Sequence, residues 1–174
     1  MTDSTSRRHA PEPTAEDTRG AAVRLLPPLV FLVPLLVGVV LGRVTPWRMP
    51  TGGGWPVALT SLGLVLLAAG IGLMVWAAVV MWRHRTTVIP WAKVEHLVTG
   101  GPFRFMRNPI YVGDVLVYLG VTLVAGTWWP LVMIPLPLFV MQRYVIAREE
   151  AYLAERFGEP YAAYRRQVRR WGLV

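Results

Sequence analysis

The 28 residues from Trp55 to Trp82 contain no Asp, Glu, Lys or Arg. A helix needs only about 20 apolar residues to cross a bilayer. A helix that is apolar on every side belongs in a membrane or deep in a large core, and a chain of 174 residues has no such core. Three further apolar runs share the property. Leu25–Gly42 has 18 uncharged residues, with Pro27, Pro28 and Pro34 among them. Ile110–Gly126 holds one acid, Asp114. Trp128–Ala147 carries Pro130, Pro135 and Pro137, then Gln142 and Arg143 near its end. Backbone polar groups in lipid must be satisfied within the segment, so each run is read as a helix, and prolines are tolerated there better than in water. The expectation is an all-α, integral-membrane helical bundle with about four transmembrane helices, spanning 25–42, 55–82, 110–126 and 128–147. The stretch Gly126-Thr127-Trp128-Trp129-Pro130 reads as a tight turn joining the last two spans into a hairpin. Ala68 and Gly72 offer small residues for close helix contact.

Composition supports this architecture and removes several functions. The chain is 54% hydrophobic and 16% charged, against about 25% charged in soluble domains. Its net charge is nevertheless +8. Eight Trp and long Leu/Val runs exclude disorder for the chain as a whole. The absence of cysteine excludes disulfides, Cys-ligated zinc, iron–sulfur clusters and a cysteine nucleophile. Residues 1–24 are polar and mixed in charge, and are predicted to be a disordered tail rather than a signal peptide. Residues 25–174 are read as one membrane domain.

The basic residues test the topology. Four lie in the tail, five in the second loop and seven from Arg143 onward, against two in the first loop and none in the third. Four spans thus place 16 of 18 on one side, and the positive-inside rule makes that side the cytoplasm. Both termini are expected there, in an inner (plasma) membrane. Arg83–Pro109 and Arg148–Val174 then face each other, and aqueous chemistry belongs between them. Residues 148–171 are expected to be interfacial helices. Within them Tyr161, Tyr164, Val168 and Trp171 recur on one helical face, with Arg165, Arg166, Arg169 and Arg170 elsewhere around it. This pattern fits a basic amphipathic helix on anionic lipid. Membrane lipids are therefore the expected partners and nucleic acid is not.

Each polar cluster on this side has a plain structural reading. Gly100-Gly101-Pro102 is a turn signal. Asn108-Pro109 reads as the N-cap and first residue of the third span. Asp114 is favoured near a helix start by the dipole. Arg148, Glu149 and Glu150 fit the solvated end of the fourth helix. Together they put a His, several Arg, an Asn, an Asp and two Glu at one membrane face, where ionisable residues are functional candidates. The three histidines are scattered, so no metal site is expected. There is no Gly-rich dinucleotide fingerprint.

The run Leu97–Gly113, LVTGGPFRFMRNPIYVG, resembles the signature of the isoprenylcysteine carboxyl methyltransferase family. The run Glu149-Glu150-x-x-Leu153-x-x-x-Phe157-Gly158-x-x-Tyr161-x-x-Tyr164 is similar to that family's second signature. Phospholipid N-methyltransferases share the Arg-x-Pro-x-Tyr and Glu-Glu elements. The resemblance covers about residues 86–171. It implies a membrane methyltransferase using S-adenosylmethionine, with a cofactor site built from the cytoplasmic loop and the C-terminal amphipathic helix. By position, the implied cofactor contacts are Glu95, His96, Leu97, Val98, Phe103, Asn108, Pro109, Ile110, Tyr111 and Glu149. Glu149 can accept hydrogen bonds from ribose hydroxyls or an amino group, and Phe103 and Tyr111 can stack on adenine or lie against the sulfonium. Arg107, Glu150 and Asp114 are the candidates for chemistry: Arg107 as a carboxylate partner, the two acids as proton acceptors if the methyl acceptor is an amine. A lipophilic small-molecule acceptor is implied: a prenylcysteine carboxylate, a phospholipid amine or another lipid-like molecule. Prenylcysteine-specific members place an Arg four residues before the position of Glu149, where this chain has Val145. Their His two residues before the Leu-Val pair is here Glu95, with His96 adjacent to Leu97. Membrane sterol reductases, which use NADPH, have a run similar to Arg107–Asp114 and are the alternative class, followed by a non-catalytic protein of the same fold.

Overall fold

The computed structural model describes residues 26–45, 47–50, 52–86 and 94–172. The tail read as disordered, 1–24, lies outside the described residues, as do residues 87–93 of the second loop.

Each span begins with proline in its first turn. A missing N–H costs nothing there, and the fixed φ suits a helix. Pro27 opens α1 (Pro27–Val44), Pro56 lies in the first turn of α2 (Trp55–Arg83), and Pro109 opens α3 (Pro109–Ala125). Pro130 lies in the first turn of α4, which runs from Trp129 to Phe157. A final helix, α5, covers Glu159–Gln167. Among the described residues α1, α2 and α4 are long and apolar enough to cross a membrane. The 17-residue α3 is slightly shorter, about 26 Å at ~1.5 Å per residue. No strand forms among the described residues, so the expected all-α membrane bundle is the observed architecture.

The fourth span was expected to end at Ala147 and to be followed by interfacial helices; one helix runs on through that boundary for ten residues, to Phe157. Charge ends an apolar stretch without ending a helix. Within α4, Met141–Ile146 widens into a π-helical segment. A π turn holds more residues than an α turn. It therefore resets which face the helix presents from Ala147 onward, just before Glu149 and Glu150.

Central in the bundle, α3 packs against α2 on one side and against α1 and α4 on the other. The α2–α3 contact is a glycine seam. A Cβ on Gly63 would stand 2.8 Å from the Gly120 carbonyl oxygen, and one on Gly70 would stand 2.8 Å from that of Gly113. Both helices repeat glycine at a spacing of seven, so two backbone-to-backbone contacts align in antiparallel register. Small residues allow this approach, and apolar packing then holds the pair in lipid. Ala68 and Gly72, the small residues expected to allow close helix contact, are both exposed, and Gly72 has no neighbour within 4 Å of a built Cβ. They lie on the other face of α2.

On its opposite side α3 contributes Tyr111 and Tyr118 to a core with Phe31, Leu35, Met141, Val145 and Ile146. The Tyr118 hydroxyl donates to the Pro130 carbonyl at 2.7 Å, which satisfies a buried phenol. The tight turn read between the last two spans is present. Gly126 ends α3 with φ 65°, a conformation open to glycine without strain. The first loop is strapped across it: the Met49 amide donates to the Gly126 carbonyl at 2.9 Å, and the Trp128 amide to that of Trp47 at 3.2 Å. Those bonds fix the end of the bundle remote from the polar clusters.

Candidate functional site

At the other end, the segment before α3 and the extension of α4 enclose a cavity. Gly101–Arg104 forms one 3₁₀ turn, and the chain enters α3 through Asn108 and Pro109. Asn108 takes the N-cap position as expected, but its side chain makes no cap bond. Its Nδ2 is buried and has no hydrogen-bond partner among the described residues. The third wall is α5. Tyr161 and Tyr164 are 2% and 8% exposed, and the Tyr164 hydroxyl donates to the Phe103 carbonyl at 2.6 Å. Burial raises both phenols above the ordinary tyrosine pKa, so both are neutral hydroxyls at physiological pH, Tyr161 accepting from Arg107. This corrects the amphipathic reading of Tyr161–Trp171. The helix stops at Gln167, and Tyr161 and Tyr164 turn into the protein rather than onto lipid, whereas Trp171 beyond its end is exposed.

The cavity has a water-accessible volume of about 140 Å³. Nine of the ten residues implied as cofactor contacts line it: His96, Leu97, Val98, Phe103, Asn108, Pro109, Ile110, Tyr111 and Glu149. Glu95 does not line it and is exposed. Of the three candidates for chemistry, Arg107 and Glu150 are on the wall. Asp114 is not. It is 7% exposed, three residues along α3 from Tyr111, and its Oδ2 has no hydrogen-bond partner among the described residues. An i, i+3 spacing keeps Asp114 on the face of Tyr111 but one turn deeper in the bundle.

Two polar links hold the site. The Tyr111 hydroxyl donates to Glu149 Oε1 at 2.6 Å, joining the two signature segments across 38 residues. Glu150, 8% exposed, is shared by two arginines. Arg107 reaches its Oε1 at 2.9 Å. Arg170 donates Nε to Oε1 at 2.9 Å and its terminal nitrogen to Oε2 at 2.6 Å. Both oxygens of Glu150 are thus engaged by guanidinium groups. The buried Nε of Arg107 has no partner among the described residues. Leu97, Val98, Ile110 and Leu153 supply apolar lining beside these polar groups.

Sequence reasoning did not assign Met81, Thr86, Val94, Tyr152, Leu153, Tyr161 and Tyr164 to the site, yet they line the cavity. Leu153, Tyr161 and Tyr164 belong to the second signature, which was the available signal. Met81 and Thr86 arrive at the end of α2 through tertiary packing and carry no motif. Thr86 holds the loop by donating to the His96 carbonyl at 3.2 Å. Tyr152 accepts from the Val94 amide at 3.2 Å, and Arg156 donates to the Val94 carbonyl.

The chain is 36% identical over 72 residues to a protein-S-isoprenylcysteine O-methyltransferase of Schizosaccharomyces pombe. That match covers 41% of this chain and 30% of the yeast protein, well under two thirds of its length. It is also 36% identical over 62 residues to an uncharacterized protein of Haemophilus influenzae, covering 36% of this chain and 98% of that one. No solved structure matches. The family profile for phospholipid methyltransferase matches residues 59–160, which include most of α2, all of α3 and α4, and the cavity lining except Tyr161 and Tyr164 of α5. Spanning more than half of the chain, that match shows that the protein belongs to the phospholipid methyltransferase family.

Proposed function

We propose that the protein is an S-adenosylmethionine-dependent methyltransferase of the membrane that acts on a lipophilic acceptor. The observation that carries this is the cavity at the edge of the bundle, lined by both signature segments and closed by the Tyr111–Glu149 bond. Its donor set fits the cofactor. The unpartnered Arg107 Nε and Asn108 Nδ2 are cationic and neutral donors suited to a carboxylate. Glu149 keeps acceptor capacity for hydroxyl or amino groups. Phe103 and Tyr111 offer aromatic faces, and aromatic rings attract cations such as a sulfonium.

When bound, the cofactor supplies a sulfonium methyl that is already activated for in-line displacement. The protein's share is then orientation and exclusion of water. Leu97, Val98, Ile110 and Leu153 supply the dry wall. Tyr111 fixes Glu149, and Arg107 fixes the anionic end of the ligand. Met81, at the end of α2, brings the cavity next to a lipid-exposed helix, which favours an acceptor held in the bilayer. Val145, where prenylcysteine-specific relatives place an Arg, is fully buried in the π segment. An acceptor carboxylate has no arginine at that position here.

The test is transfer of labelled methyl from S-adenosylmethionine by the purified protein to a total lipid extract, followed by mass analysis. We expect label in the lipid phase, and none with Glu149→Ala. Label only in water-soluble acceptors would overturn the lipophilic assignment. No transfer to any acceptor would overturn the activity.

A further inference from the structure

Arg170 lies outside the cavity wall, beyond the end of α5, in a segment that folds back over the loop before α3. The Arg107 amide donates to the Arg169 carbonyl at 3.0 Å, and Gly172 packs on Met106. This pins the backbone on both sides of Arg170. Its guanidinium then takes Glu150 in a two-point ion pair, using both carboxylate oxygens. Arg107 touches the same carboxylate through one nitrogen only. The side chains of Arg107 and Glu150 are about nine-tenths buried, and that of Arg170 is 27% exposed.

Charge bookkeeping over this triad leaves one positive charge in excess. A carboxylate engaged at both oxygens by one guanidinium is largely neutralised by it, because the planar fork matches its geometry. The excess therefore resides on Arg107, the member that lines the cavity and whose buried Nε has no partner among the described residues. Without Arg170, Glu150 is free to close on Arg107 at two points and cancel it.

We infer that Arg170 is a positioning residue: it occupies Glu150 so that Arg107, held to that carboxylate at one point only, is partly compensated and presents positive charge to an anionic group in the cavity. This rests on the proposed cofactor reading, in which that group is the amino-acid carboxylate. The sequence pattern gives Arg170 a place on a lipid-facing helix and no such role.

The test compares two probes on purified protein in detergent by calorimetry. S-adenosylhomocysteine carries the carboxylate, and 5′-methylthioadenosine keeps the nucleoside but lacks it. Arg170→Ala should weaken S-adenosylhomocysteine at least roughly ten-fold, the size of a charged hydrogen bond, and leave methylthioadenosine unchanged. Adding Glu150→Gln to Arg170→Ala should restore most of the affinity, because the quenching charge is gone. A merely structural strap would show neither the probe selectivity nor the rescue. Arg170→Lys keeps the charge but not the two-point grip, and should give a smaller, equally selective loss even if the alanine variant fails to fold. Equal binding of S-adenosylhomocysteine by Arg170→Ala and wild type, equal loss of both probes, or failure of the rescue would each overturn the inference alone. Failure of the wild type to bind S-adenosylhomocysteine would overturn the cofactor reading and this inference with it.

Discussion

Gly70 and Gly72 stand two residues apart on α2, and alanine at each should change stability in opposite directions. At Gly70 the added methyl meets the Gly113 carbonyl oxygen at 2.8 Å, Val117 Cγ2 at 2.9 Å and Leu116 Cβ at 3.0 Å. A backbone oxygen cannot swing aside, so the helices must part. Overpacking of this kind costs about 1–3 kcal/mol. Replacing a helical glycine regains about 0.5–1 kcal/mol of backbone entropy, which leaves Gly70→Ala destabilised by up to about 2.5 kcal/mol. At Gly72 a methyl meets nothing within 4 Å, so only the entropic gain of about 0.5–1 kcal/mol remains. The assay is reversible unfolding in mixed micelles, with wild type and both variants in parallel. Gly113 follows Tyr111 by two residues, so Gly70→Ala should also weaken ligand binding more than Gly63→Ala, whose contact at Gly120 lies two turns away. If Gly70→Ala proves as stable as Gly72→Ala, the seam is not the contact that sets the α2–α3 distance.

Two further substitutions probe the site. Tyr111→Phe removes a 2.6 Å hydrogen bond to a carboxylate and nothing else. Denaturant titration should show a loss of about 1.5–3 kcal/mol, the size of a charged hydrogen bond, and S-adenosylhomocysteine should bind more weakly by calorimetry because Glu149 is no longer held in place. Glu150→Ala strips the carboxylate from two guanidinium groups, one of them well buried. It should lower unfolding stability by more than 2 kcal/mol (about 3–5 is usual for breaking a buried pair), whereas Glu159→Ala, which breaks an exposed pair with Arg166, should cost less than about 1 kcal/mol. Equal costs on denaturant titration would refute the ranking.

The spans were legible because lipid imposes one rule on every residue of a segment, and prolines mark their starts. The cavity was legible because its two walls are short signatures with fixed spacing. Other features depend on what the chain meets in space. Arg148, Glu149 and Glu150 looked like the end of a helix, because charge marks where a bilayer ends and a helix can outrun it. The π segment at Met141–Ile146 has no sequence signature, and it changes the face on which the acids emerge. The seam glycines were visible at a spacing of seven, but their antiparallel partners on α3 had to be known before Gly70 could be preferred to Gly72. The face holding Tyr161 and Tyr164 was read correctly as apolar and assigned to lipid, because periodicity identifies a buried face and not what buries it. Asp114 shares a helix face with Tyr111, yet the cavity stops short of it.

The most direct measurement on the central claim is unfolding of the purified protein with S-adenosylhomocysteine or with NADPH. A ligand that binds only the folded state adds about 2.7 kcal/mol at a hundred times its dissociation constant. S-adenosylhomocysteine should stabilise the wild type by that mechanism, and Glu149→Ala should lose the effect, because Glu149 lines the cavity. Stabilisation by NADPH alone, or by neither compound, would contradict the assignment of the cavity to S-adenosylmethionine.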